Sequence, residues 1–442
     1  MVSQLNPQRS VLLGFVTAIV VGTFLLLLPV AHRDPSSNSL IDNLFTAVSA
    51  TCVTGLATVD TVAYWSPFGQ VVILLLIQVG GLGLMTLSTA IGVFLVGRLS
   101  LNTKLKTSAE VRGNGLFDMK RMVLRVIKIS LSIEFLGFLF LAGRFYFGYN
   151  LSLGESLWRG IFHAVSGFNN AGFALYSNNL IGFYNDPWIL LPISFLIILG
   201  GLGFPVIVEL RKCGKHIRWW SMGTKLVLTS TVLLLILGTV VITALEWNNA
   251  GTLGPMNSAE KILNGFAQNV STRTAGFNNL DIGKMHPSSL LFMDVLMFIG
   301  GGPAGTAGGI KITTFAVLFF IAATEIRGGG AVNIFGKRLA RSVHREAITM
   351  VLISCALIFL AIFTLQLFTP FTSDQIIFEV VSAFATVGLS TGITPLMPAV
   401  GKIILIILMI SGRVGPVTVV AALAYRRRPA LYELPKERPL IG

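Results

Sequence analysis

The chain has 442 residues, and 12% are Asp, Glu, Lys or Arg, against roughly 25% in an ordinary soluble domain. Its hydrophobic fraction is 53% and its mean hydropathy +0.78, more apolar surface than so few charges can shield from water. That excludes a cytosolic globular enzyme, and a net charge of +14 on such a chain points to basic loops beside a membrane, not to nucleic acid.

A bilayer core of about 30 Å takes about 20 apolar residues in a helix. The first such run covers residues 11–31. It exceeds a signal-peptide core of roughly 7–15 residues and reads as a retained span. Further runs lie near 70–97, 123–147, 187–208, 223–245, 289–323, 347–368 and 401–424, which makes eight. Between them sit four amphipathic pieces too short to cross, near 40–51, 155–166, 259–270 and 374–385. Three cysteines, Cys52, Cys213 and Cys355, are too scattered for a disulfide framework or a zinc site.

Alternate loops differ in basic residues. The N-terminus, 98–128, 211–225, 327–345 and the tail from Arg426 hold 24 of the 33 Lys and Arg. The opposite loops hold seven: Arg33, Arg144, Arg159, Lys261, Arg273, Lys284 and Lys402. Lys311 and Arg413 lie inside apolar runs. The asymmetry predicts a multi-pass cell-membrane protein with both termini cytoplasmic and the short pieces on the outer side. The basic loops can also meet anionic lipid or a partner.

The short pieces repeat. The first leads to Val53-Thr54-Gly55-Leu56, the second to Asn170-Ala171-Gly172-Phe173, the third to Thr274-Ala275-Gly276-Phe277 and the fourth to Thr386-Val387-Gly388-Leu389. The glycines are 117, 104 and 112 residues apart, so the period is a subdomain and not a solenoid unit. A second glycine echo follows in each next run, at Gly80-Gly81, Gly200-Gly201, Gly300-Gly301 and Gly412. Two echoes in register predict four units, 9–112, 113–215, 216–332 and 333–442, each a span, a short helix, a glycine loop and a span.

Irregular backbone at membrane depth is tolerated only where protein buries it or water lines it. Four such loops around a pseudo-fourfold axis aim carbonyls at one centre, where they replace the hydration shell of a cation. The short helices enter from outside, so their negative C-terminal ends also face that centre. Glycine permits the turn. The second echo reads as close helix packing by small residues.

The third unit departs from the pattern. Residues 300–311 read Gly300-Gly301-Gly302-Pro303-Ala304-Gly305-Thr306-Ala307-Gly308-Gly309-Ile310-Lys311, and six glycines with a proline interrupt the helix. A phosphate-binding loop needs Gly-Lys-Ser/Thr, which is missing here. The remaining readings are a passive break and a mobile plug beneath the ring. Arg413 sits at the same depth in the fourth unit, where a buried arginine needs a partner. Its donors suit the free carbonyls of the loop, and its charge repels cations. Glu134 reads as a structural partner, Asp294 as a functional acid or a solvated one at the outer mouth, and His163 as a packed core residue. No metal spacing and no nucleophile beside a base is visible.

On these residues the chain resembles the superfamily of Trk, Ktr and HKT potassium transporters, and in size and start it is most similar to the Ktr membrane subunit. Val53-Thr54-Gly55-Leu56 and Thr386-Val387-Gly388-Leu389 resemble a potassium-channel filter without its second glycine. The resemblance implies an all-α polytopic membrane protein with eight transmembrane helices, as four span–re-entrant pore helix–span repeats around a pseudo-fourfold pore. It implies potassium uptake, often sodium-dependent, by a homodimer with a cytosolic ring of nucleotide-binding regulatory subunits. It assigns Gly55, Gly172, Gly276 and Gly388 to the filter and the 300–311 loop to the gate. Potassium at filter carbonyls is the only metal expected, and no cofactor is expected in the chain. Plant relatives with serine at the first filter position favour sodium, so Gly55 favours potassium. The rivals are a sodium or mixed transporter of the same superfamily and an alternating-access solute transporter. The latter needs repeats of opposite orientation, whereas all four here run the same way.

Overall fold

Helices follow the apolar runs because a backbone away from water must satisfy its own amides and carbonyls. The structure, a computed structural model, describes residues 7–34, 36, 38–99 and 115–415. In chain order its helices are α1 (Pro7–Leu26), α2 (Leu40–Thr51), the single turn α3 (Thr61–Tyr64), α4 (Pro67–Leu99), α5 (Gly115–Tyr149), α6 (Leu153–Phe168), α7 (Pro187–Leu202) and α8 (Phe204–Cys213). They continue as α9 (Met222–Glu246), α10 (Ser258–Thr272), α11 (Pro287–Phe298), α12 (Ile312–Ile326), α13 (Arg341–Phe368), α14 (Ser373–Ala385) and α15 (Ala399–Val414). A two-residue hairpin, β1 (Asn333–Ile334) with β2 (Lys337–Arg338), is the strand content of the described residues.

Among the described residues, Val123–Tyr149 of α5, α9 and α13 are each long and apolar enough to cross a bilayer alone. Pro67–Gly83 of α4, together with α11 and α12, is apolar but shorter. The apolar run at 187–208 is not one straight span: α7 and α8 meet at a 93° bend. Gly203 stands at the corner with φ +90°, outside helical geometry, and Pro205 starts α8 where no amide donor is needed. The run at 289–323 is split as the sequence predicts, since α11 stops at Phe298 and α12 starts at Ile312. The basic tail from Arg426 and residues 100–114 of the 98–128 loop lie outside the described residues.

The four amphipathic pieces fold as α2, α6, α10 and α14. The starts of α6, α10 and α14 are capped by polar side chains. Ser152 Oγ accepts from the Glu155 amide, while Asn257 with Glu260 and Thr372 with Gln375 form reciprocal capping boxes. The C-terminal halves of all four are buried. Each lies between the flanking helices of its own unit and packs on the unit before it: α6 on α4, α10 on α7, α14 on α11, and α2 on α15. The last contact closes a circle in which the fourth unit meets the first, and the largest apolar core among the described residues runs through it.

Candidate functional site

Every short helix ends in a loop of one backbone form. Val53, Asn170, Thr274 and Thr386 have φ of 55°, 59°, 64° and 51°, and two residues later Gly55, Gly172, Gly276 and Gly388 have φ of 94°, 69°, 73° and 96°. Three of the first set are β-branched, and a left-handed conformation there costs roughly 1–3 kcal/mol each. Such strain persists only where surrounding contacts over-determine it.

Serine supplies those contacts. The Ser49 carbonyl accepts from the Thr54 amide at 2.8 Å, that of Ser166 from Ala171 at 2.8 Å and that of Ser382 from Val387 at 2.9 Å. Ser49 Oγ and Ser382 Oγ also accept from the Gly55 and Gly388 amides, both at 3.1 Å. Ser166 Oγ instead donates to the Phe173 carbonyl at 2.7 Å. The third loop hangs on the Ser271 carbonyl, which accepts from Ala275 and Gly276. Sequence reasoning passed over these serines, although three of them stand six residues before their glycine.

The four glycines form a closed ring. A Cβ on Gly55 would lie 2.5 Å from the Ala171 oxygen, on Gly172 2.8 Å from that of Ala275, on Gly276 2.3 Å from that of Val387, and on Gly388 2.1 Å from that of Thr54. Each loop therefore presents its glycine to the carbonyl of the next, and the fourth returns to the first. No side chain fits at any of the four without moving backbone. The negative C-terminal ends of α2, α6, α10 and α14 lead into this ring, which favours a cation there.

The second glycine echo is a packing device. A Cβ on Gly80 would meet the Thr51 oxygen at 1.9 Å, on Gly200 that of Phe168 at 1.9 Å and on Gly412 that of Phe384 at 1.7 Å. In each case the contact is the carbonyl four residues before the ring glycine. In the third unit this contact is replaced, and Gly300 faces Gly308 of its own loop.

That loop, residues 300–311, is seated against the ring's inner supports. Gly308 is closed in by the Thr386 side chain, and Gly309 by Ala385. Thr306 Oγ1 donates to the Phe168 carbonyl at 3.3 Å. The Gly302 amide donates to Gly201 at 2.7 Å, Thr306 to Gly200 at 3.2 Å and Phe204 to Ala304 at 3.3 Å. The break in the loop and the break between α7 and α8 thus satisfy each other's backbone. Ala304 and Gly309 take φ of 55° and 62°, and Pro303 is the exposed point of an otherwise mostly buried segment. Gly301, Gly305 and Ala307 are buried within it.

Arg413 is 3% exposed. Its Nη1 donates to the Thr306 carbonyl and its Nη2 to that of Gly80 at 3.1 Å. Lys311 Nζ donates to Ala307 O at 2.5 Å. Both cations therefore sit on the loop's own carbonyls.

Arg273 and Asp294 fall differently from the sequence reading, and Glu134 and His163 fall as it expects. Arg273 is not an outer-loop residue: it caps the buried end of α10, is 8% exposed, and places Nη1 3.3 Å from the Thr231 carbonyl. Asp294 is not solvated, being 8% exposed with Oδ1 lacking a partner among the described residues. Glu134 accepts from Gln78 at 3.0 and 3.1 Å and from Asn169 at 3.0 Å, so it braces the second loop. His163 is packed as expected, with Nδ1 at 2.7 Å from Arg159 O and Nε2 accepting from the Leu175 amide. In the first turn of α2, burial would raise Asp42. Hydrogen bonds from Lys402, at 2.7 Å, and from Thr58 and Ser39 hold it below the usual carboxylate range.

Comparison with known proteins identifies the family. The family model for TrkH, described as cation transport protein, matches residues 12–427. The Ktr system potassium uptake protein B of Bacillus subtilis is 39% identical over 95% of this chain and 93% of its own length. Its namesake from Vibrio alginolyticus is 38% identical over 99% and 95%. The potassium/sodium uptake protein NtpJ of Enterococcus hirae is 34% identical over 99% and 98%. The crystal structure of the potassium transporter TrkH from Vibrio parahaemolyticus shares the fold, with a TM-score of 0.74 at 16% identity over 96% of this chain and 86% of that one.

Proposed function

The chain belongs to the TrkH family of cation transport proteins, and on that premise we propose that it takes up potassium across the cell membrane through the four-glycine ring. One observation carries the reading: the ring closes on itself, each glycine facing the carbonyl of the next loop. A cation entering it exchanges water for the oxygens of Thr54, Ala171, Ala275 and Val387 and for the dipoles of four helix ends. The strained residues Val53, Asn170, Thr274 and Thr386 hold those oxygens in place. In this reading the four units, 9–112, 113–215, 216–332 and 333–442, supply eight spans, and both termini are cytoplasmic.

The 300–311 loop is the gate. Arg413 holds it closed through Thr306 O and places positive charge on the exit path. Opening requires the Arg413 and Gly200–Gly203 contacts to exchange for others. Transport is sodium-dependent, by a homodimer governed by a cytosolic nucleotide-binding ring. These features are what the resemblance to the Ktr membrane subunit implies, and no contact in this chain carries them.

A second reading, mixed potassium and sodium uptake, draws on the likeness to NtpJ. Four glycines without a serine favour the potassium reading. Flux in liposomes holding this chain alone decides between them. Potassium-selective uptake with weak sodium uptake supports the first reading, equal fluxes support the second, and no cation flux from folded protein overturns both.

A further inference from the structure

One motif is unused by the ion path: the basic segment between α12 and α13. Its backbone builds a cavity of about 340 Å³, lined by Glu325, Gly330, Arg338, Arg341, His344 and Arg345. Gly329, Gly330 and Ala331 also line it, just after the turn at Gly328. Gly328 has φ +68°, and the amides of Gly330 and Ala331 have no partner among the described residues. α13 begins at the cavity edge, and its N-cap Ala340 offers no side chain to the first-turn amides. Arg338, Arg341 and Arg345 are exposed and carry no ion pair among the described residues. His344 Nε2 is buried without a hydrogen-bond partner.

Three guanidinium groups, free amides and a helix N-terminus converging on one recess match a single compact anion with several acceptor oxygens. We propose that this cavity binds a phosphate group, and that its source is the phosphodiester headgroup of an anionic membrane lipid such as phosphatidylglycerol. The surroundings favour a lipid over a free ion. Phe319 and Ile326 on α12 are 63% and 86% exposed, and Ile348 and Leu352 on α13 are 44% and 64% exposed. These apolar side chains are exposed on the two packed helices that carry the cavity residues Ile321, Glu325, Arg341 and Arg345, and they suit an acyl chain. Glu325, the one acid in the lining, suits a headgroup hydroxyl as its donor. The inference is independent of which cation the ring carries.

The test uses the purified full chain in detergent. Native mass spectrometry with added phosphatidylglycerol, and thermal shift with inorganic phosphate, are run on the wild type, on Arg341→Gln with Arg345→Gln, and on Arg338→Gln alone. Arg218→Gln is the control for lost charge elsewhere. Lipid adducts about tenfold weaker in the cavity variants only, and not displaced by inorganic phosphate, support the lipid source. An arginine-dependent shift with inorganic phosphate and none with lipid overturns the lipid source and retains a free-phosphate site. Binding of both probes unchanged by the cavity variants overturns the site itself. Because the altered side chains are exposed, folding is checked by the unchanged melting temperature, and Arg338→Gln serves if the double variant does not fold.

Discussion

Gly55 has two independent reasons to be glycine, a φ of 94° and a carbonyl where its Cβ would stand. Gly55→Ser is therefore expected to push the first and second loops apart and to lower potassium-over-sodium preference about tenfold, read as the flux ratio in liposomes. An unchanged ratio removes Gly55 from the selectivity argument. Ser382 holds the fourth loop by Oγ to the Gly388 amide. Ser382→Ala is expected to lower thermal stability by about 1 kcal/mol and to reduce selectivity without lowering expression. The ring glycines were legible because their spacing repeats. The serines repeat too, but a serine mid-helix reads as ordinary packing until its loop partner is seen. Arg273 was misread because the charge count assigns every basic residue outside an apolar run to a loop. Only the position of α10 shows that the short helix carries its C-cap residue into the core.

At the scale of elements, two breaks in helical backbone meet and complete each other. A Cβ on Gly203 would lie 2.3 Å from the Pro303 carbonyl. Gly203→Ala, strained at φ +90° by roughly 1–3 kcal/mol, is expected to unseat the 300–311 loop, lower the melting temperature and raise basal flux. Lower flux from stable protein argues that the two breaks are not coupled. Arg413→Ala, or removal of residues 304–308, is expected to raise basal flux several-fold and to blunt regulation. Unchanged flux with normal folding contradicts a closing role. The glycine-rich break in the third unit was plain in composition. The break at Gly203 was not, because hydrophobicity continues through it and one glycine before a proline at second remove is weak punctuation. Its bend is settled by the neighbouring loop, which the local sequence does not contain.

For the whole molecule, the pattern of apolar runs and short amphipathic helices carried the element order, since period and length are written in the chain. Closure of the circle was legible only as a consequence of fourfold repetition. The contact of α15 with α2, joined by Lys402 and Asp42, gives it physical form. The third unit breaks the symmetry by replacing a packing glycine contact with a loop. In the proposed reading, the pore thereby acquires a plug without an added domain. The central claim is that the ring of Gly55, Gly172, Gly276 and Gly388 holds the transported cation. Its most direct test is to locate thallium or rubidium by anomalous scattering in crystals of the protein grown in that ion. The expected result is a peak enclosed by the carbonyls of Thr54, Ala171, Ala275 and Val387. Ion density elsewhere along the bundle with the ring empty contradicts it.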